Sequence, residues 1–87
     1  MAWNNKGATL AALGRREEAI ACYEKTLAVE PQHLMAWYNK AISEDALGKY
    51  AMAAKSYRKF VEFAPEQYAS HVAYVRQRLR ELESARE

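Results

Sequence analysis

Apolar and small residues recur along this chain at helical spacing. Trp3, Gly7, Leu10 and Leu13 step by three or four residues, and Trp37, Ala41 and Leu47 repeat most of that series. Between and after them run two further stripes, Ala19, Tyr23, Thr26, Leu27 and Ala53, Tyr57, Phe60, Val61. A last series, Tyr68, Val72, Val75, Leu79 and Leu82, has Glu66 near its start and arginines later. It predicts one amphipathic helix of roughly five turns. Nowhere do apolar and polar residues alternate strictly, so no strands are expected. The breaks are also regular. Gly14 and Gly48 stand where a helix C-terminus wants a residue that tolerates positive φ. Pro31 and Pro65 end the helices before them, because proline cannot continue one.

The breaks recur because the chain repeats itself. ALGRREEAIACYEK starts at Ala12 and ALGKYAMAAKSYRK at Ala46, a shift of 34 residues. At that shift about a third of the first block matches the second. Met1, Ala2 and Trp3 fall on Met35, Ala36 and Trp37, and Asn5 and Lys6 on Asn39 and Lys40. Ala19, Tyr23, Lys25 and Pro31 fall on Ala53, Tyr57, Lys59 and Pro65. Each block therefore reads as two helices. Gly7 set against Ala19, and Ala41 against Ala53, would let the paired backbones approach closely. The tryptophans and tyrosines then fill the core above and below. Such a pair cannot bury its apolar face alone, and stacking on a neighbour does it.

These residues and their spacing resemble the tetratricopeptide repeat family. The first block offers Trp3, Lys6-Gly7, Leu10, Ala19, Tyr23, Thr26 and Pro31. The second offers Trp37, Lys40-Ala41, Glu44, Ala53, Tyr57, Phe60 and Pro65. The resemblance implies an all-α, right-handed solenoid of two helix–turn–helix repeats, residues 1–33 and 34–67, with a capping helix over 68–87. Glu44 departs from the pattern, standing where an aromatic residue or leucine is usual, so looser packing is expected in the second pair. Two repeats are fewer than the three or more that such stacking needs, which suggests a longer array or a dimer.

The family's usual role implies a non-enzymatic module that binds a peptide or protein segment in a concave groove. Carried over, that groove shows Asn4, Ala8 and Ala11 from the first helix. The third helix adds Met35, Tyr38, Asn39, Ile42 and Asp45, and the capping helix adds Val72 and Arg76. Helices at ~10 Å spacing give a floor of ~20 Å, which an extended segment of about six residues spans. The family's best-known groove grips a terminal carboxylate. Of the matching positions Asn4, Ala8, Asn39, Ala69 and Ala73, only Asn39 fits, so a clamp for a chaperone's terminal carboxylate is not expected. Tyr38 stands where the first repeat has Asn4, so packing within the repeat does not demand it and it is expected to face the groove.

Charge and composition narrow the alternatives. A formal net charge of +2, with acids and bases mixed, does not by itself predict a nucleic-acid or membrane partner. Arg76, Arg78, Arg80 and Arg86 could touch phosphates, but Glu81, Glu83 and Glu87 interleave with them. Nucleic-acid binding is therefore the third reading, after partner binding and self-assembly as a homodimer or larger homo-oligomer. Cys22 is the one cysteine and cannot form an internal disulfide. No apolar run approaches the ~18 residues of a membrane span, and no signal peptide is visible at the start. A soluble, cytoplasmic chain is the expectation. His33 and His71 fall in different elements from each other and from Cys22, without the close pairs that metal sites use, and read as surface histidines. There is no phosphate loop, HExxH or GxSxG. No catalytic residue, cofactor or metal is expected.

Overall fold

The computed structural model describes residues 3–84. The expectations for Met1, Ala2, Arg86 and Glu87 lie outside the described residues. Helices run over Trp3–Ala12 (α1), Arg16–Val29 (α2), Leu34–Ala46 (α3), Tyr50–Phe63 (α4) and Ala69–Ser84 (α5), with a single 3-10 turn at Glu66–Tyr68 before the last. No strand occurs among the described residues. Each helix packs on the next in sequence, and α1 also meets α3. The result is an all-α helical repeat solenoid measuring 38 × 28 × 20 Å.

The two glycine turns close identically. Gly14 has φ +83° and Gly48 φ +78°, the left-handed region that costs glycine little. After α1, Arg15 N–H donates to the Leu10 carbonyl at 2.9 Å and Gly14 N–H to Ala11 at 3.0 Å. After α3, Lys49 donates to Glu44 at 2.9 Å and Gly48 to Asp45 at 3.0 Å. This paired pattern satisfies carbonyls that a helix end leaves open. At the other joint, the Nδ1 atom of His33 accepts from Ala36 N–H at 3.1 Å and caps α3. His33 is thus a structural cap rather than a free surface side chain.

The core concentrates in α3, α4 and α5. Ala41, Ala53, Tyr57, Phe60 and Val75 are fully buried there, with Leu82 beside them. Alanines at 41 and 53 leave room for the rings. In the first pair, the small residue acts differently from expectation. What lies over Gly7 is the ring of Tyr23, and a Cβ on Gly7 would stand 2.5 Å from Tyr23 Cε1. Tyr23 is itself buried and cannot swing away into solvent. Gly7→Ala gains up to ~1 kcal/mol of helix propensity but overpacks the ring contact, at a cost of typically ~1–3 kcal/mol. The expected result in a thermal melt is a Tm lower by roughly 5–10 °C. An unchanged Tm would contradict the contact.

Three apolar stripe positions prove more exposed than core residues. Leu13 is 68% exposed and Leu47 38%. Both follow the last helical residue, so the glycine turn carries them out of the stripe. Trp3, in the first turn of α1, is 37% exposed. The ammonium groups of Lys25 and Lys6 lie 4.2 and 5.1 Å from its ring centre. Its repeat partner Trp37 is half-buried, and its indole N–H donates to the Pro31 carbonyl at 2.8 Å.

Glu44 does not loosen the second pair. It is fully buried, with Oε2 2.7 Å from Lys40 Nζ, and Oε1 accepts from Ser56 Oγ at 2.7 Å. Lys40 Nζ also donates to Ser56 Oγ at 3.4 Å. A buried charge is tolerable only when paired and hydrogen-bonded. Among the described residues, no buried side-chain nitrogen or oxygen lacks a partner.

Candidate functional site

Helices α1, α3 and α5 form one row of the solenoid, and side chains cross between them at three places. Asn39 Nδ2 donates to Asn4 Oδ1 at 3.4 Å, joining α3 to α1. The Tyr38 and His71 rings meet edge to face, with centres 5.2 Å apart. Arg78 of α5 grips Asp45 of α3, with Nε donating to Oδ2 and Nη2 to Oδ1, both at 2.7 Å.

The expected groove residues divide accordingly. Asn4, Ala11, Met35, Asn39, Ile42 and Asp45 are half-buried on α1 and α3, and Ala8 is exposed. Tyr38 departs from its expected role. Its ring packs on Phe60 at 5.1 Å as well as on His71, so it helps seat α5 on the core. Burial pushes its phenol pKa up. His71 in turn lies against Tyr68 at 5.6 Å and is an aromatic packing element rather than a surface histidine. Val72 packs against the core cluster. Arg76 is exposed and does not reach Asp45. By helical spacing it shares a flank with Glu83, which pairs with Arg58 of α4 at 2.7 Å. The α5 face turned to α3 is His71, Tyr74, Arg78 and Glu81.

A straight 34-residue translation of Tyr38, Ile42 and Asp45 points to Val72, Arg76 and Leu79 on α5. The side chains that line the depression there are instead Tyr74, Arg78 and Glu81. The available signal was the wider stripe, since Val75 and Leu82 mark the centre of the buried face.

Between α3 and α5 lies an open depression of about 420 Å³, lined by Ile42, Asp45, Ala46, Tyr57, Tyr74, Arg78 and Glu81. Its floor is an ordered polar network. Asp45 Oδ2 also accepts from Tyr57 O–H at 2.9 Å. Arg78 Nη1 donates to Glu81 Oε1 at 3.0 Å, and Gln77 Nε2 to Glu81 Oε2 at 3.2 Å. Arg78 holds the Asp45 carboxyl below the usual carboxylate range against the opposing effect of burial. Arg78 and Gln77 lower Glu81 likewise. Both acids are therefore ionised at neutral pH. Burial, then the bond to Asp45, pushes the Tyr57 phenol far up, so it stays a donor. Tyr74 is 49% exposed at the rim.

Cys22 is buried. No group of three or more His, Cys, Asp or Glu side chains could hold a metal among the described residues. No described helix is long and apolar enough to cross a membrane. Of the α5 arginines, Arg78 bonds Asp45 and Glu81, Arg80 Nη2 donates to Gln77 Oε1 at 2.7 Å, and Arg76 is exposed.

No curated protein matches the chain. A family model, described as tetratricopeptide repeat, matches residues 4–68, which takes in both helix pairs and the 3-10 turn. With its paired glycine turns and two-row helix stacking, the chain belongs to the tetratricopeptide repeat family.

Proposed function

We propose that this protein binds an extended or helical segment of a partner protein along the inner row formed by α1, α3 and α5. Tetratricopeptide repeats generally mediate protein–protein interaction, and the family is typically non-catalytic. The observation that carries the groove reading is the depression between α3 and α5. It joins a hydrogen-bonded polar floor to an exposed aromatic rim and the apolar side chains of Ile42 and Ala46. Pre-ordered polar groups beside an aromatic anchor are the usual form of a binding hot spot. Asn4 and Asn39 extend the polar contacts towards α1.

Tyr74 is the better probe of this surface, because Tyr38 also supports the core. A random nonapeptide display selection on the 87-residue chain should yield binders. Tyr74→Ala should weaken them at least roughly tenfold, since a hot-spot residue is worth ≥ ~2 kcal/mol. Its helicity by circular dichroism should match that of the parent. Binders indifferent to Tyr74→Ala would place the working surface elsewhere.

Self-association is the second reading. It is favoured by Trp3, which is more open than its counterpart Trp37 and leaves an aromatic face at the α1 edge. Sedimentation across a concentration series separates the two.

A further inference from the structure

We propose that the depression between α3 and α5 selects a lysine or arginine side chain of the partner segment, a refinement that rests on the groove reading above. Its charges do not balance. Asp45 and Glu81 bring two carboxylates and Arg78 one guanidinium, so the site carries one negative charge in excess. This is a local property, since the chain as a whole has a formal charge of +2. The guanidinium is already committed. Nε and Nη2 face Asp45, and Nη1 faces Glu81. An incoming carboxylate or phosphate would have to compete with both acids for it while meeting their like charge.

A cation meets the opposite situation. The Asp45 side chain is 13% exposed, whereas that of Glu81 is 51% exposed. The excess charge is therefore presented to a partner mainly by Glu81. Each of its oxygens accepts one bond, from Arg78 and from Gln77, so acceptor sites remain. The walls suit the rest of a long basic side chain. Its methylene stem packs against Ile42 and Ala46, and the exposed Tyr74 ring offers a face to its charged head. The other basic residues of these helices make no ion pair with either acid. Lys40 is tied to buried Glu44 on the α4 side, Arg80 Nη2 donates to Gln77 Oε1 at 2.7 Å, and Arg76 is exposed on the opposite flank of α5.

The test uses the nonapeptide selection on the full chain, followed by fluorescence polarisation with one selected, labelled peptide. The expected result is a lysine or arginine at one fixed position. Replacing it by glutamine should weaken binding about tenfold. Glu81→Arg should also weaken the basic peptide at least about tenfold and strengthen its glutamate analogue. Glu81→Gln should fall in between. These losses should shrink at 1 M salt, where charges a few ångströms apart are largely screened. Glu81 is exposed, so circular dichroism of both variants should match the parent. Binders that depend on Tyr74 but show neutral or acidic consensus, or that ignore Glu81→Arg, overturn this inference and leave the groove reading standing. A selection without binders overturns both.

Discussion

A chain ending at Pro65 should fail to hold as a monomeric helical domain. Tyr57 and Phe60 are fully buried, and the α5 residues Val75, Leu82, Val72 and Leu79 share their cluster, with Tyr68 packing from the turn before it. Removing residues 66–87 strips that cover from two aromatic rings. Each ring buries roughly 150–250 Å², worth several kcal/mol together at about 25 cal/mol per Å². A domain of this size has only ~5–15 kcal/mol in total. The same cut removes Arg78 and leaves Asp45 without its bidentate partner. Terminal repeats need a polar outer face to stay in solution. The outward residues of α5, among them Ser70, Arg76, Gln77 and Arg80, provide one. The truncated chain should bind a hydrophobic dye and sediment as aggregate, with reduced helicity. A monomeric, helical, dye-free product would mean that α5 is not the cap.

Lys40→Met should be the most damaging single substitution outside the aromatic core. The Glu44 side chain is 0% exposed and that of Lys40 only 12%, so loss of the lysine strands a carboxylate in the interior with Ser56 as its remaining partner. Breaking a buried pair from one side typically costs ~3–5 kcal/mol. For a chain of this length that corresponds to a Tm lower by at least about 12 °C. One further result identifies the cause. The double variant Lys40→Met/Glu44→Leu should recover most of the loss, because well-packed apolar residues replace a buried pair at little cost. Leu10 already occupies the equivalent position of the first repeat. A Lys40→Met chain within about 1 kcal/mol of the parent at neutral pH would show that the pair contributes little.

The repeat architecture was legible because its signals are local. Glycine at 14 and 48 and proline at 31 and 65 fix where helices end whatever packs on them, and Ala53 and Tyr57 fix which face is inward. The candidate site was only partly legible, because it depends on how helices are rotated against each other. Ile42 and Asp45, named from the third helix, line the depression between α3 and α5, and Asn39 bonds Asn4 instead. On α5 a straight 34-residue translation points to Arg76, whereas Arg78 stands beside Asp45. Tyr38 misled because comparison with Asn4 indicated freedom from packing within the repeat. Phe60 on α4 of the same repeat holds its ring, and His71 on α5 adds a second contact. Glu44 was read as a departure from an apolar pattern. Its partners Lys40, one turn back, and Ser56, on α4, make it a satisfied part of the core.

The central claim is that the inner row is the working face. The most direct measurement is a ¹H–¹⁵N correlation spectrum of the full chain titrated with a selected nonapeptide. The account predicts that the largest amide shifts fall on Asn39, Ile42, Asp45, Tyr74, Arg78 and Glu81, with α2 and the outer face of α4 nearly still. Shifts centred instead on Glu24, Lys55 or Arg58, on the outer helices, would contradict it.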